Sequence, residues 1–141
     1  MDILLTIKNA TPEAYVDLKA FLAKHADRVT LDAEWTLERA ERYYRALPDR
    51  AQKILREAAV RGGYVSADEL RAGEDSSLRG HSAALKQVLE RGERKGWWPL
   101  EMQPPIQPQG PGFGKVVGYR MPDALVSVFS KVIKHADGGA P

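Results

Sequence analysis

Basic side chains are concentrated in one part of this 141-residue chain. Residues 77–120 hold seven Lys or Arg against three Glu, a net charge of +4, whereas residues 1–34 have a net charge of −2 and the remaining stretches balance. The seven cations are Arg79, Lys86, Arg91, Arg94, Lys95, Lys115 and Arg120. A local positive field of this kind is the footprint of a polyanion site. The alternative is a solvated face that happens to be basic.

The centre of the basic region, residues 76–96, has the pattern of one helix. Its apolar side chains recur at helical spacing and line one face. They are Leu78, Leu85, Val88 and Leu89. The opposite face is free to meet a partner and carries Arg79, Ala83, Lys86, Gln87 and Arg94. We expect Ser76 or Ser77 to cap the start of this helix and Gly96 to end it in a left-handed conformation.

Patterns typical of catalytic and metal sites are lacking in the sequence. His25, His81 and His135 are far apart, and there is no cysteine. No serine has the context of a nucleophile elbow, and no pair of carboxylates stands in an apolar setting. We therefore expect no metal, no cofactor and no enzymatic activity.

The composition is that of a globular protein, with 43% hydrophobic and 28% charged residues. No segment approaches the 18 or so apolar residues that a membrane-spanning helix needs, and the N-terminus lacks a secretory signal. The absence of cysteine agrees with a reducing compartment. These features predict a soluble cytoplasmic protein without a membrane partner.

Residues 1–34 are predicted to form a strand-helix-strand extension. Residues 2–8 alternate apolar side chains and predict a strand. Thr11 and Pro12 are expected to start a helix that continues to about residue 25. Residues 28–34 alternate again and could pair with the first strand. Two short strands and one helix are only marginally stable alone. This extension should therefore pack on the rest of the chain or on another copy of it.

Residues 35–75 have the patterns of two helices followed by a strand and a short helix. Thr36 is expected to cap a helix over 37–47 with Leu37, Ala40, Tyr44 and Leu47 facing inward. Pro48 starts a second helix over 49–61, which the glycines at 62 and 63 end. A strand then begins at residue 64, and Ser66 with Glu69 forms a capping box for a helix over 67–72.

The remaining residues predict a hairpin and a last helix. We expect strands at 97–102 and 115–121, joined by a loop rich in proline and glycine that contains Gln107 and Gln109. A helix should follow over 124–135, with its apolar side chains on one face. These side chains are Leu125, Val128, Phe129, Val132 and Ile133. The tail from residue 138 is expected to fray.

The order of these parts resembles the winged helix-turn-helix of bacterial transcription regulators. The resemblance covers about residues 48–121, and its most specific features are Val65-Ser66-Ala67-Asp68-Glu69-Leu70 and the spacing from Leu85 and Leu89 to Gly96. The turn from Leu70 to Ser77 is longer and more acidic than in a tight helix-turn-helix. The expected fold is α+β and mainly helical, with an extension at 1–34, a winged helix at 35–121 and a C-terminal helix with its tail at 122–141.

The resemblance implies that the helix over residues 77–95 enters the major groove of double-stranded DNA and that the hairpin contacts the backbone or minor groove. Ser77, Arg79, His81 and Ser82 would then be placed for base edges or phosphates. Lys86, Arg94, Lys115 and Arg120 would neutralise phosphates. Each has an alternative role, since Arg79 and Lys86 could be solvated helix charges, Arg94 could serve only the helix end, and His81 could be partly packed.

The function expected from this resemblance is sequence-specific binding of double-stranded DNA, with a role in transcription regulation. The alternative is a winged helix used as a protein-interaction module, such as an adaptor or an inhibitor of another regulator. A homodimer is also expected, through the apolar C-terminal helix or the N-terminal extension, although either element could instead complete the core of one chain.

Overall fold

The computed structural model describes residues 1–29, 34–71, 79–99, 102–112 and 115–138, with the backbone alone at 79–81 and 137–138. Across these residues there are six helices and one three-stranded antiparallel sheet. The helices are α1 (Pro12–Lys24), α2 (Leu37–Ala46), α3 (Asp49–Val60), α4 (Ala67–Arg71), α5 (Arg79–Lys95) and α6 (Asp123–Gly138). The strands are β1 (Tyr64–Ser66), β2 (Gln107–Gln109) and β3 (Gly118–Arg120). The predicted α+β, mainly helical class is confirmed.

The N-terminal extension contains the predicted helix but not the predicted first strand. Thr11 caps α1, because its hydroxyl oxygen accepts a hydrogen bond from the Ala14 N–H at 3.1 Å. Residues 2–8 have no strand structure, and Ile3 and Leu5 are exposed. Alternation alone does not make a strand, since a strand needs a neighbour to pair with, and no described residue pairs with this segment. Of the second predicted strand, residues 28, 29 and 34 are not in a strand, and 30–33 lie outside the described residues.

Helix α2 begins as predicted but buries a different set of side chains. The Thr36 hydroxyl oxygen accepts from the Arg39 N–H at 3.2 Å, which fixes the first turn. Leu37 was expected to face inward and is instead exposed, whereas Tyr43 is fully buried beside Tyr44. Tyr43 is buried because α2 packs against α5 as well as α6, and its hydroxyl donates to the carbonyl oxygen of Leu85 in α5.

The capping box between β1 and α4 is confirmed. The Glu69 carboxylate accepts from the Ser66 N–H at 2.9 Å, and the Ser66 hydroxyl oxygen accepts from the Glu69 N–H at 3.1 Å. The first of these bonds holds the pKa of Glu69 below its ordinary value, because it favours the charged carboxylate. The pair fixes the direction in which the chain leaves the sheet.

The hairpin forms, but its first strand lies further along the chain than predicted. The strand order is β1-β3-β2, with Val65 and Pro108 both opposite Tyr119. Residues 97–99 and 102, part of the predicted strand at 97–102, have no strand structure, and 100–101 lie outside the described residues. Trp98 is buried there, and its indole N–H donates to the carbonyl oxygen of Leu89 at 3.0 Å. This segment therefore closes the core rather than pairing in the sheet.

The core is organised around four aromatic rings from distant parts of the chain. Trp35 lies with its ring centroid 5.2–5.8 Å from those of Tyr43, Trp98 and Phe129, and Tyr43 is 5.9 Å from Trp98 and 6.5 Å from Phe129. The arrangement is tilted or edge-to-face, which suits the aromatic quadrupole. The Tyr43 hydroxyl donates to the carbonyl oxygen of Leu85 at 2.9 Å. Two side chains of this cluster thus hydrogen-bond to backbone carbonyls of α5.

Helix α6 belongs to this core. It packs across α2 and α3, with Phe129 and Val132 buried and Leu125 and Val128 half-buried against the same cluster. Of the two dimer surfaces expected from the sequence, α6 therefore serves to complete the core of a single chain.

Gly92 allows the closest approach in the core. A β-carbon built at this position would lie 2.0 Å from Cζ2 of Trp98, well inside van der Waals contact. Because the ring of Trp98 is buried and hydrogen-bonded to Leu89, it cannot move away without opening the core. The glycine is thus required by packing and not by backbone conformation.

Replacing Gly92 by Ala should lower the free energy of unfolding by about 1–3 kcal/mol, the cost of overpacking a dense core. The gain of about 1 kcal/mol in helix propensity is too small to reverse the sign. Urea denaturation would measure the change. In a Trp98→Phe background the same substitution should cost less, because the smaller ring leaves room for the methyl group. A Gly92→Ala variant more stable than the parent would contradict the close approach.

Candidate nucleic-acid interface

Helix α5 has one packed face and one solvent face, as its sequence predicts. Leu85 and Val88 are buried and Leu89 is half-buried against the core. Its 17 residues give a length of about 25 Å, enough to span a major groove. Leu78 and the expected caps, Ser76 and Ser77, lie outside the described residues.

The C-terminal end of α5 is fixed by a Schellman motif. Gly96 has φ +76°, its N–H donates to the carbonyl oxygen of Glu93 at 3.3 Å, and the Trp97 N–H donates to that of Gly92 at 2.8 Å. The predicted left-handed end at Gly96 is confirmed. Because the chain turns sharply here, Trp98 returns beneath the helix that it follows.

The solvent face of α5 is polar along the part of the helix whose side chains are described. Its exposed residues are Ala83, Lys86, Gln87, Glu90, Arg91, Arg94 and Lys95. Four of them are cations and one is an anion, so the face is basic but mixed in sign. The side chains of Arg79 and His81 lie outside the described part of the chain, as does Ser77.

Ser82 lies at the border between the two faces of the helix, three residues before the buried Leu85 and four before the exposed Lys86. It is half-buried, and its hydroxyl shares a hydrogen bond with the hydroxyl of the fully buried Tyr119 in β3. Burial raises the pKa of Tyr119 above its ordinary value, because the phenolate is poorly solvated there. Ser82 therefore joins α5 to the hairpin at the edge of the solvent face that carries Lys86 and Arg94.

The hairpin carries the remaining two predicted cations on its surface. Lys115 is exposed near the tip, where its N–H donates to the carbonyl oxygen of Gly112 at 3.1 Å. Arg120 is exposed on β3, with its guanidinium 5.0 Å from the centroid of the Tyr64 ring. Gln107 is exposed and Gln109 half-buried. Because Ser82 binds Tyr119, the N-terminal half of α5 and the hairpin form adjoining surfaces.

Two further residues of this surface were not among the predicted site residues. Glu90 and Arg91 are both exposed on α5. Helical spacing predicts that both lie on the solvent face, since Glu90 is four residues after Lys86 and Arg91 is four after Gln87. Their presence makes the surface less uniformly positive than the count of cations alone suggests.

A shallow depression of about 370 Å³ lies at the C-terminal end of α5. It is lined by Thr36, Glu38, Arg39, Arg42, Gly96 and Trp97. The Arg42 guanidinium stacks 5.2 Å from the Trp97 ring centroid, and the Lys95 ammonium lies 5.5 Å from it. Because two cations already lie close to the Trp97 ring, the basic face of α5 is the stronger candidate site.

The described residues offer little else for chemistry. Within them, no three His, Cys, Asp or Glu side chains are grouped so as to hold a metal ion. The helices that the structure describes include none with the length and apolar character to cross a membrane.

Replacing Ser82 by Ala should destabilise the fold by about 1 kcal/mol, because Tyr119 loses its hydrogen-bond partner. Urea unfolding of Ser82→Ala, Tyr119→Phe and the double variant should show strong non-additivity. Ser127→Ala, at an exposed position of α6, is a matched control and should change stability by only a few tenths of a kcal/mol. A Ser82→Ala variant as stable as the parent would contradict the contact.

Comparisons of the chain with protein-family models, with curated proteins and with solved structures found no match. The surface formed by α5 and the hairpin is therefore interpreted from its own geometry and charge.

Proposed function

We propose that this chain binds double-stranded DNA in a sequence-specific manner through a winged helix-turn-helix and regulates transcription. The observation that carries the proposal is topological. The chain order α3, β1, α4, α5, β2, β3 is the order of parts in the resemblance described above, and the sheet joins β1 to the hairpin through β3. By this resemblance, α5 would be the recognition helix and the β2–β3 hairpin would be the wing.

The exposed cations support this assignment by their distribution. Lys86 and Arg94 lie on the solvent face of α5, and Lys115 and Arg120 lie on the hairpin. A duplex that meets α5 in its major groove would bring phosphates of the flanking backbone towards both surfaces. Arg79, at the first position of α5, is proposed to read a guanine, since its guanidinium can bond both O6 and N7. Ser77 and His81 are proposed to contact bases or phosphates nearby.

Ser82 has a supporting role in this proposal. Its bond to Tyr119 orients the hairpin relative to α5, so the two DNA-facing surfaces keep a constant separation. Bases would be read by its neighbours on the solvent face.

Arg79→Ala should weaken binding to a preferred site by about 1–3 kcal/mol and relax the choice of base at one position. Lys86→Ala should instead weaken binding to all sequences alike. The slope of log K against log salt should become less steep by about one. Fluorescence anisotropy with duplexes at several salt concentrations measures both. Lys131→Ala is the matched control, because Lys131 is an exposed lysine of α6. Equal losses for Lys86→Ala and Lys131→Ala would contradict the assignment of α5.

Glu90→Gln should instead raise the affinity for duplex DNA of any sequence. Removing an anion from a face that approaches phosphates should tighten binding to any duplex and steepen its salt dependence. A carboxylate in a major groove also accepts from the amino group of cytosine, so discrimination at one base pair should fall. A Glu90→Gln variant with unchanged affinity for every duplex would show that this face does not approach DNA.

The first test of the function is anisotropy of the purified protein with random-sequence duplex and with its own upstream region, at about 50 mM and 200 mM salt. Micromolar or tighter binding that weakens steeply with salt, together with preference for one sequence, is the expected result. No binding at the lower salt concentration would overturn the proposal. The protein-interaction module would then be favoured, and a pull-down would identify its partner.

A further inference from the structure

Two cations at the end of α5 are held near one aromatic ring. The guanidinium carbon of Arg42, in α2, lies 5.2 Å from the centroid of the Trp97 ring, and the ammonium nitrogen of Lys95 lies 5.5 Å from it. Both distances are within the range of a cation–π contact. Two like charges thus share one ring, although they repel each other. An anion bound beside them would relieve that repulsion.

Neither cation is neutralised by an acidic side chain. In the part of the chain that the structure describes, Arg42 and Lys95 form no ion pair, whereas Arg45 pairs with Glu41 at 3.0 Å. Arg42 and Lys95 are both exposed, so their N–H groups reach solvent. A guanidinium that stacks on a ring keeps its N–H groups in its own plane, where they can bond a ligand at the edge of the ring.

The Arg42 guanidinium lines the shallow depression of about 370 Å³ at this end of α5. Arg39 and Glu38 line it as well, and Arg39 is held by a hydrogen bond from its Nη1 to the carbonyl oxygen of Glu34 at 2.9 Å. With Lys95 beside it, the depression has three positive charges and one negative charge around it. Its volume is near the lower end of the range for ligand sites, about 300–1,000 Å³, and its charged lining favours a small anion over an apolar ligand.

The C-terminal end of a helix ordinarily disfavours an anion, because the negative end of the helix dipole lies there. In α5 the turn at Gly96 occupies two of the last carbonyl oxygens, those of Gly92 and Glu93, with backbone hydrogen bonds. Lys95 adds a positive charge in the last turn of the same helix. The cations therefore dominate the field in the depression.

We propose that this depression binds a phosphate group and that it is a second site, outside the surface formed by the solvent face of α5 and the hairpin. A phosphate group carries a charge of about −1.5 to −2 and three strong acceptor oxygens, which matches an excess of two positive charges better than the single charge of a carboxylate does. The site does not depend on DNA binding by α5.

Each side chain has a distinct part in the proposed site. Arg42 bonds two phosphate oxygens with its planar guanidinium, and Lys95 supplies a point charge. The Thr36 hydroxyl oxygen already accepts from the Arg39 N–H at 3.2 Å, and its own proton is left to donate to the third oxygen. Trp97 is a positioning residue, because its ring holds the guanidinium in place without touching the anion.

NMR of the full chain with labelled nitrogen, titrated with inorganic phosphate at an ionic strength held constant with chloride, tests the proposal. The three tryptophans give three indole N–H signals, and Trp97→Phe identifies the signal of Trp97. The expected result is a saturating shift of the Trp97 indole and Arg42 Nε–H signals, with a Kd of about 10 mM or tighter for so small a ligand. Shifts that stay linear in phosphate concentration, or that spare these two signals, overturn the proposal.

Arg42→Gln should weaken phosphate binding about tenfold or more, because it removes the bidentate donor. Arg50→Gln, at an exposed position of α3, removes the same charge elsewhere and should leave the affinity unchanged. Trp97→Phe keeps a ring under the guanidinium and should still bind, whereas Trp97→Leu should bind weakly. Equal affinity of the two arginine variants overturns the site, and equal affinity of the two Trp97 variants overturns the role of the ring.

A short duplex separates the two sources of a phosphate group, a small phosphorylated molecule and the DNA backbone. If the DNA backbone occupies the site, duplex should shift the same two signals and phosphate should compete with it. If a small molecule does, duplex should leave both signals in place. Saturable phosphate binding without any duplex binding would overturn the proposed function and leave this site. Duplex binding without a saturable phosphate shift would overturn this site and leave the proposed function.

Discussion

The rest of the structure depends on the way the aromatic core holds α5. The Tyr43 hydroxyl and the Trp98 indole N–H donate to the carbonyl oxygens of Leu85 and Leu89, which are one turn apart on the helix. Both bonds are on the buried side, so rotation of α5 about its axis would break them together. A polar group left unpaired in this core would cost more than an ordinary hydrogen bond contributes. The face that α5 shows to solvent is thereby fixed.

Several local features also help to hold α5 in its orientation. Gly92 lets the Trp98 ring lie directly against the helix, and the turn at Gly96 brings that ring into place. Nearer the N-terminal end of α5, Ser82 connects the helix to Tyr119 in the middle strand of the sheet. The basic face and the hairpin are therefore parts of one rigid arrangement, held from the core outwards, although their charged side chains are exposed.

Sequence reasoning succeeded where a few neighbouring residues decide the outcome. The caps at Thr11, Thr36 and Ser66 depend on a hydroxyl oxygen that accepts from the backbone N–H three residues later, and the solvent face of α5 follows from its period. The predictions failed where contacts between residues far apart in the sequence decide the structure. The first hairpin strand lies in a proline-rich stretch without alternation, and its position depends on pairing with β3. Ser82 could have been assigned to the border between the packed and solvent faces, since it precedes Leu85 by three residues and Lys86 by four. The wrong strand at 2–8 had the right alternation but no partner.

The burial of Phe129 against Trp35 and Tyr43 has a consequence for synthesis on the ribosome. The aromatic cluster takes its rings from three regions of the chain, and the last is translated some ninety residues after the first. Until α6 leaves the exit tunnel, α2 and α3 have no cover for the surface that it will occupy. The nascent chain therefore passes through a stage in which its aromatic core side chains are available to chaperones, and this core is completed only after α6 has been translated.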